Sequence, residues 1–245
     1  MRCCYLLALF LAQALLHAEP DCGPTKEACL GAQMAREFER TATQLPSPAV
    51  QTFVDQVGQR LAAHLPESDF AFHFRVVTDD DLHPAVEPIA LPGGYIYIPA
   101  GVLLQCRYEG EFASILAHSI AHVVEWHQHA PASTRIASIP LVFISGAGHS
   151  ADLVPLSLRD QLRNQELAAD QLAIRTLSEA GYDPNALRAY LARVQPYDAR
   201  LANLRTSGVV RKSESDDAFA AIQDEVRRAL PSRTPPSLRR PSEAH

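Results

Sequence analysis

Between Ala35 and Leu65 the apolar residues Val50, Phe53, Val54, Val57 and Leu61 recur at three- and four-residue intervals, which predicts helix. The period then changes. In FAFHFRVVT, Phe70, Phe72, Phe74 and Val76 occupy alternate positions, the pattern of a strand with one buried face. Two short apolar runs in PIALPGGYIYIPAG flank Pro92-Gly93-Gly94, a tight turn joining two strands. Helical spacing returns from about Glu109 to His129, and again from about Ser157 to Ala180, where Gly181 stops it. Asp183 and Pro184 then offer an N-cap and a first helical position for NALRAYLARV. A last amphipathic helix runs from about Asp216 to Leu230. Strands early in the chain, followed by a run of helices, predict an α+β fold, mainly helical with a small and mostly antiparallel sheet.

The ends read differently. Residues 1–18 carry one basic residue, Arg2, an apolar stretch from Tyr5 to Leu16 and a cleavable Ala18, the pattern of a secretory signal peptide. A retained N-terminal anchor is the alternative. Residues 19–34 are expected to form an extension, residues 35–230 the folded domain, and the Pro- and Ser-rich residues 231–245 a solvated tail. The segment from Ile136 to Ser150 has no Lys, Arg, Asp or Glu but contains Pro140, Gly146 and Gly148. It reads as a buried or substrate-facing hairpin, for which membrane contact is allowed but not required.

A net charge of −6 offers no basic face, so nucleic acid is not an expected partner. Export gives the cysteines a meaning. Cys22 and Cys29 bracket a short loop and are able to pair in an oxidising compartment, whereas Cys106 reads as a small buried apolar residue.

The chemistry concentrates in ILAHSIAHVVEWHQH. Residues four apart on a helix share a face, so His118 and His122 project together, as two nitrogen ligands of a tetrahedral zinc would. Such a pair also occurs as ordinary core or surface histidines. A third ligand after a further Gly would fall at position 128, but positions 125 and 128 hold Glu125 and Gln128, so that arrangement fails. A later helix offers Glu166 and Asp170, again four apart, among Leu167, Ala168, Ala169 and Leu172. Two carboxylates on an apolar face are costly to bury without something cationic opposite. A salt-bridged acidic pair helped by Arg163 is the plain reading. Packed against the first helix, Glu166 is able to be the third ligand and Asp170 to accept the N–H of a ligand histidine.

Three blocks, LPGGYIYIPAGVLL, EFASILAHSIAHVVEWH and QELAADQLAIRTLSEAGYDPNAL, together resemble the gluzincin metallopeptidases related to HtpX and the CAAX prenyl endopeptidase. The periplasmic BepA-like branch is the more similar, and the likeness covers about Val50 to Leu204. It implies a zincin-like domain binding one zinc ion through His118, His122 and Glu166, with Asp170 behind a ligand histidine. It also implies a polypeptide substrate or client, laid as an added strand along an edge strand around Tyr95 to Ile98. PYDARLANL is similar to a later family block in which a His-Pro precedes an Arg. Arg200 matches that Arg, while Gln195 stands in place of the His.

The chain departs from the family at Ser119, where the family has the Glu that takes a proton from the attacking water. A serine hydroxyl is too weak a base near neutral pH, and general bases contribute about 10²–10⁴ in rate. Glu125, His127 and His129 lie too far along the helix or off its ligand face to replace it. Two expectations follow: an exported zinc-binding module for extended or unfolded polypeptides with impaired hydrolysis, or an active zinc endopeptidase using another base.

Overall fold

In a computed structural model of the chain, residues 26–65, 71–78, 85–129, 156–196, 198–202, 204 and 216–231 are described. The signal-peptide stretch, Cys22, Phe70, the segment from Ile136 to Ser150 and the C-terminal tail lie outside them.

The stretch expected to be one helix is two. Helix α1 spans Lys26–Thr41 and helix α2 spans Pro48–Ala62. Ser47 separates them. Its hydroxyl oxygen accepts from the Val50 N–H, and Pro48, which has no N–H to orphan, takes the first helical position. Helix α1 also begins earlier than the expected domain start at Ala35, so the extension is helical from Lys26 onward.

The sheet has three strands: β1 (His73–Val77), β2 (Ile89–Leu91) and β3 (Tyr95–Pro99). Phe72, Phe74 and Val76 are buried while His73 and Arg75 are exposed, as the alternation predicts. The strand order is β1-β3-β2, with β2 antiparallel to β3 and β1 parallel to it. The sheet is therefore mixed, not mostly antiparallel, and its longer pairing is the parallel one. The tight turn fixes only that β2 and β3 run oppositely; it does not say which of them meets β1. It is β3 that does, and the two run the same way.

Helix α1 covers one face of this sheet. Met34, Ala35 and Phe38 pack on Val77, Leu91 and Tyr97, and the Phe38 and Tyr97 rings lie 4.4 Å apart between centroids. The other face meets the main core, which α2, α3 (Ala100–Gln105), α4 (Glu109–His129), α5 (Leu156–Glu179), α6 (Ala186–Val194) and α7 (Asp216–Ala229) complete. Helix α4 runs through the middle. Its residues from Phe112 to Ala121 are all buried, and its longest neighbour is α5. Burial of this kind supplies roughly 25 cal/mol per Å² of apolar surface, which is what holds a polar helix face in the interior.

Helix α5 gives way to Gly181 as expected. Helix α6 begins at Ala186, later than Asp183 and Pro184 suggested. The Asp183 carboxylate instead accepts from the backbone N–H of Asn185 at 2.8 Å, closing a turn before the helix. Cys106 is free and buried, as expected, and burial pushes its thiol well up. Among the described residues no helix is long and apolar enough to cross a membrane.

Candidate metal centre

His118 and His122 sit one turn apart on α4, their rings 4.5 Å between centroids and nearly perpendicular. The two Nε2 atoms are 3.0 Å apart. Helix α5 brings Glu166 against them: Oε2 lies 3.5 Å from His118 Nε2, and Oε1 lies 3.5 Å from His122 Nε2. One turn further along α5, Oδ1 of Asp170 stands 3.0 Å from His118 Nδ1, off the line of a well-aligned hydrogen bond. All four residues singled out from the two helices therefore meet at one place.

The donor set fits a metal ion. One atom from each of His118, His122 and Glu166 lies within 4.8 Å of the others. Ligand atoms about 2.0–2.1 Å from a tetrahedral ion stand about 3.3–3.4 Å from one another. The separations of 3.0, 3.5 and 3.5 Å agree with that requirement.

Burial falls steadily across the site. The side chains of His118 and Asp170 are 1% and 3% exposed, while those of His122 and Glu166 are 17% and 28% exposed. The His118–Asp170 end is the floor, and the His122–Glu166 end is half open. Burial alone pushes the Glu166 carboxyl up, but hydrogen bonds and charge from His118 and His122 together outweigh it. The group is held well below the usual carboxylate range.

Ser119 is buried beside His118, and its hydroxyl donates to the Ile115 carbonyl at 3.0 Å. Its one proton is thus given to the helix backbone one turn earlier. His127 is turned to a different partner: Nδ1 lies 2.8 Å from Oε2 of Glu27 on α1. His129 is the last residue of α4 and Glu125 is partly exposed. Arg200 falls in a 3-10 turn, Ala199–Ala202, with its side chain outside the description.

The strand around Tyr95 to Ile98 is not an edge. It is β3, paired on both sides, and β2 is the outer strand that lies against α4. The apolar pattern of β3 suits a middle strand, which is buried on both faces. Two further pairs escaped the sequence reading. Glu111, seven residues before His118 and hence on nearly the same face of α4, pairs with Arg193 of α6. Glu27 pairs with His127. A buried acid on the ligand face is a usable signal for the first; nothing local marks the second.

A helix-borne His-x-x-x-His pair, a Glu from a following antiparallel helix and an acid behind the first imidazole define a metallopeptidase-type centre. Residues 48–243 match peptidase family M48, and the chain belongs to that family. It is 28% identical over 186 residues to a putative beta-barrel assembly-enhancing protease of Vibrio cholerae, covering 69% of this chain and 38% of that protein. The beta-barrel assembly-enhancing protease of Escherichia coli K12 is 22% identical over 186 residues, 69% of this chain and 37% of its own. The mitochondrial metalloendopeptidase OMA1 of Schizosaccharomyces pombe is 27% identical over 161 residues, 61% of this chain and 45% of its own. The chain spans less than half the length of these curated relatives.

Proposed function

We propose that the chain is an exported member of family M48 that holds one zinc ion through His118, His122 and Glu166 and engages extended polypeptide with weakened hydrolysis. The observation that carries this reading is the pairing of a converged donor set with a hydroxyl turned away from it. Three ligand atoms and the Asp170 carboxylate meet at one point, while Ser119 donates to Ile115. A zinc ion there would supply Lewis acidity toward a peptide carbonyl and toward water. The protein's own groups do the rest. Asp170 orients the His118 ring, Glu166 and His122 form the open rim, and the outer strand β2 offers backbone groups for an added strand. What is missing is a carboxylate at position 119 to take a proton. Export draws support from Cys29, which is disulfide-bonded, since such bonds persist in oxidising compartments.

The opposite reading, ordinary endopeptidase activity with another base, has the protease relatives in its favour. One experiment separates the two. Metal content and casein or peptide cleavage are measured for the unaltered protein and for Ser119→Glu. The proposal expects about one zinc in both and hydrolysis raised in the variant by part of the typical 10²–10⁴. Zinc-dependent cleavage by the unaltered protein at ordinary peptidase rates would overturn it.

A further inference from the structure

Helix α1 lies ahead of the residues that match the family, yet it reaches the metal-bearing helix. Its first two turns make three contacts at once. Glu27, buried despite its charge, contacts His127 in the last turn of α4. Gly31 lies so close to the β2–β3 turn that a Cβ there would stand 1.9 Å from the Pro92 carbonyl oxygen. Gly93, at φ 71, is close in return: a Cβ on it would fall 2.9 Å from Cα of Ala28. The two backbones touch because both contact residues lack a side chain. Cys29, on the same turn, is held by its disulfide.

So α1 starts on α4, passes over the β2–β3 turn and runs on across the outer face of the sheet. His127 is five residues beyond His122, about 7.5 Å along the axis. His127 thus lies little more than one turn beyond the ligand His122 on the same helix, and a small change in the rotation of that stretch moves the His122 ring relative to Glu166. A buried carboxylate is also a specific anchor, since it loses its water and must be repaid by one partner geometry.

We infer that Glu27 is a positioning residue for the metal centre: with the Gly31–Pro92 contact it clamps the end of α4 and so sets the placement of His122 against Glu166. This rests on the reading of His118, His122 and Glu166 as metal ligands. The clamp has two independent parts, the acid on α4 and the glycine on the turn, and loss of either should be felt at the same atoms.

The test loads the full-length exported chain with Co(II) and records the visible absorption spectrum and the rate of metal release to a chelator. Glu27→Gln and Gly31→Ala are compared with the unaltered protein and with Arg40→Ala, which removes only an exposed pair on the same helix. Both clamp variants should release metal about tenfold faster, as loss of an outer partner typically does, and both should shift the cobalt bands. Arg40→Ala should match the unaltered protein. Clamp variants that lose only thermal stability, with spectrum and release unchanged, would show a purely structural contact and overturn the inference. An unaltered protein that takes up no Co(II) would instead remove the metal reading, and this inference with it. If Gly31→Ala, whose Cβ would meet the Pro92 carbonyl, does not fold, Glu27→Gln, which keeps the side chain's size, decides alone.

Discussion

Asp170 Oδ1 stands 3.0 Å from His118 Nδ1, and both side chains are buried. In the metal-loaded protein a carboxylate so placed would favour the imidazole tautomer with its proton on Nδ1, leaving Nε2, which faces His122 and Glu166, to bind the ion. The floor of the site therefore decides what its centre can bind. Asp170→Asn should keep the volume but lose the charge behind His118. Zinc affinity, read by competition with a chromogenic chelator, should fall about 10–100-fold. Unchanged affinity would show that the pair does not tune the ligand.

Ser119→Ala tests whether the hydroxyl has any chemical part. The hydroxyl is given to the Ile115 carbonyl, a bond of a kind that adds little to a helix. Its removal should change stability by less than about 1 kcal/mol and leave any residual hydrolysis as it was. A variant that abolishes cleavage while retaining zinc would make Ser119 part of the reaction.

Acid should act on the metal-free protein through Glu166. His118 and His122 hold its carboxyl below the ordinary range, so its folded pKa is lower than the unfolded value of about 4.3. A depressed carboxyl contributes stability that is fully present above the unfolded pKa and is lost as pH falls through the folded one. Glu166→Gln should therefore melt lower than the unaltered metal-free protein at pH 5.5, and the gap should narrow steadily below about pH 4. A gap that stays constant from pH 5.5 to pH 3 would contradict the sign.

Thiol chemistry should divide the cysteines. Cys106 is free and buried, with its thiol pushed up, so the native protein should react slowly with aromatic disulfides and yield its thiol only on denaturation. Cys29 is disulfide-bonded, and we expect Cys22 as its partner. Non-reducing peptide mapping should recover the Cys22–Cys29 link; a link to another cysteine would correct the pairing.

The centre was legible because its residues announce themselves locally. His118 with His122 and Glu166 with Asp170 are each one helical turn apart, so the spacing alone puts each pair on a face. The fold was less so. The Ser47-Pro48 helix start lay in plain sight but was overrun by an apolar stripe that continues at helical spacing on its far side. Strand order had no local signal, since the partner of β1 is chosen by packing between segments rather than by either sequence. The Glu27–His127 contact joins residues 100 positions apart, and either residue alone reads as a surface group.

The fall in burial from Asp170 and His118 to His122 and Glu166 makes the His122–Glu166 side the more exposed one among the described residues. On the proposed function, an ion and a polypeptide would both approach from that side. A chain lying along β2 and over the rim would cover the route by which the ion leaves, so loading has an order, ion first, and a bound chain would slow demetallation. On that reading, occupancy by a client and retention of the metal would be coupled, whether or not any peptide bond is cut.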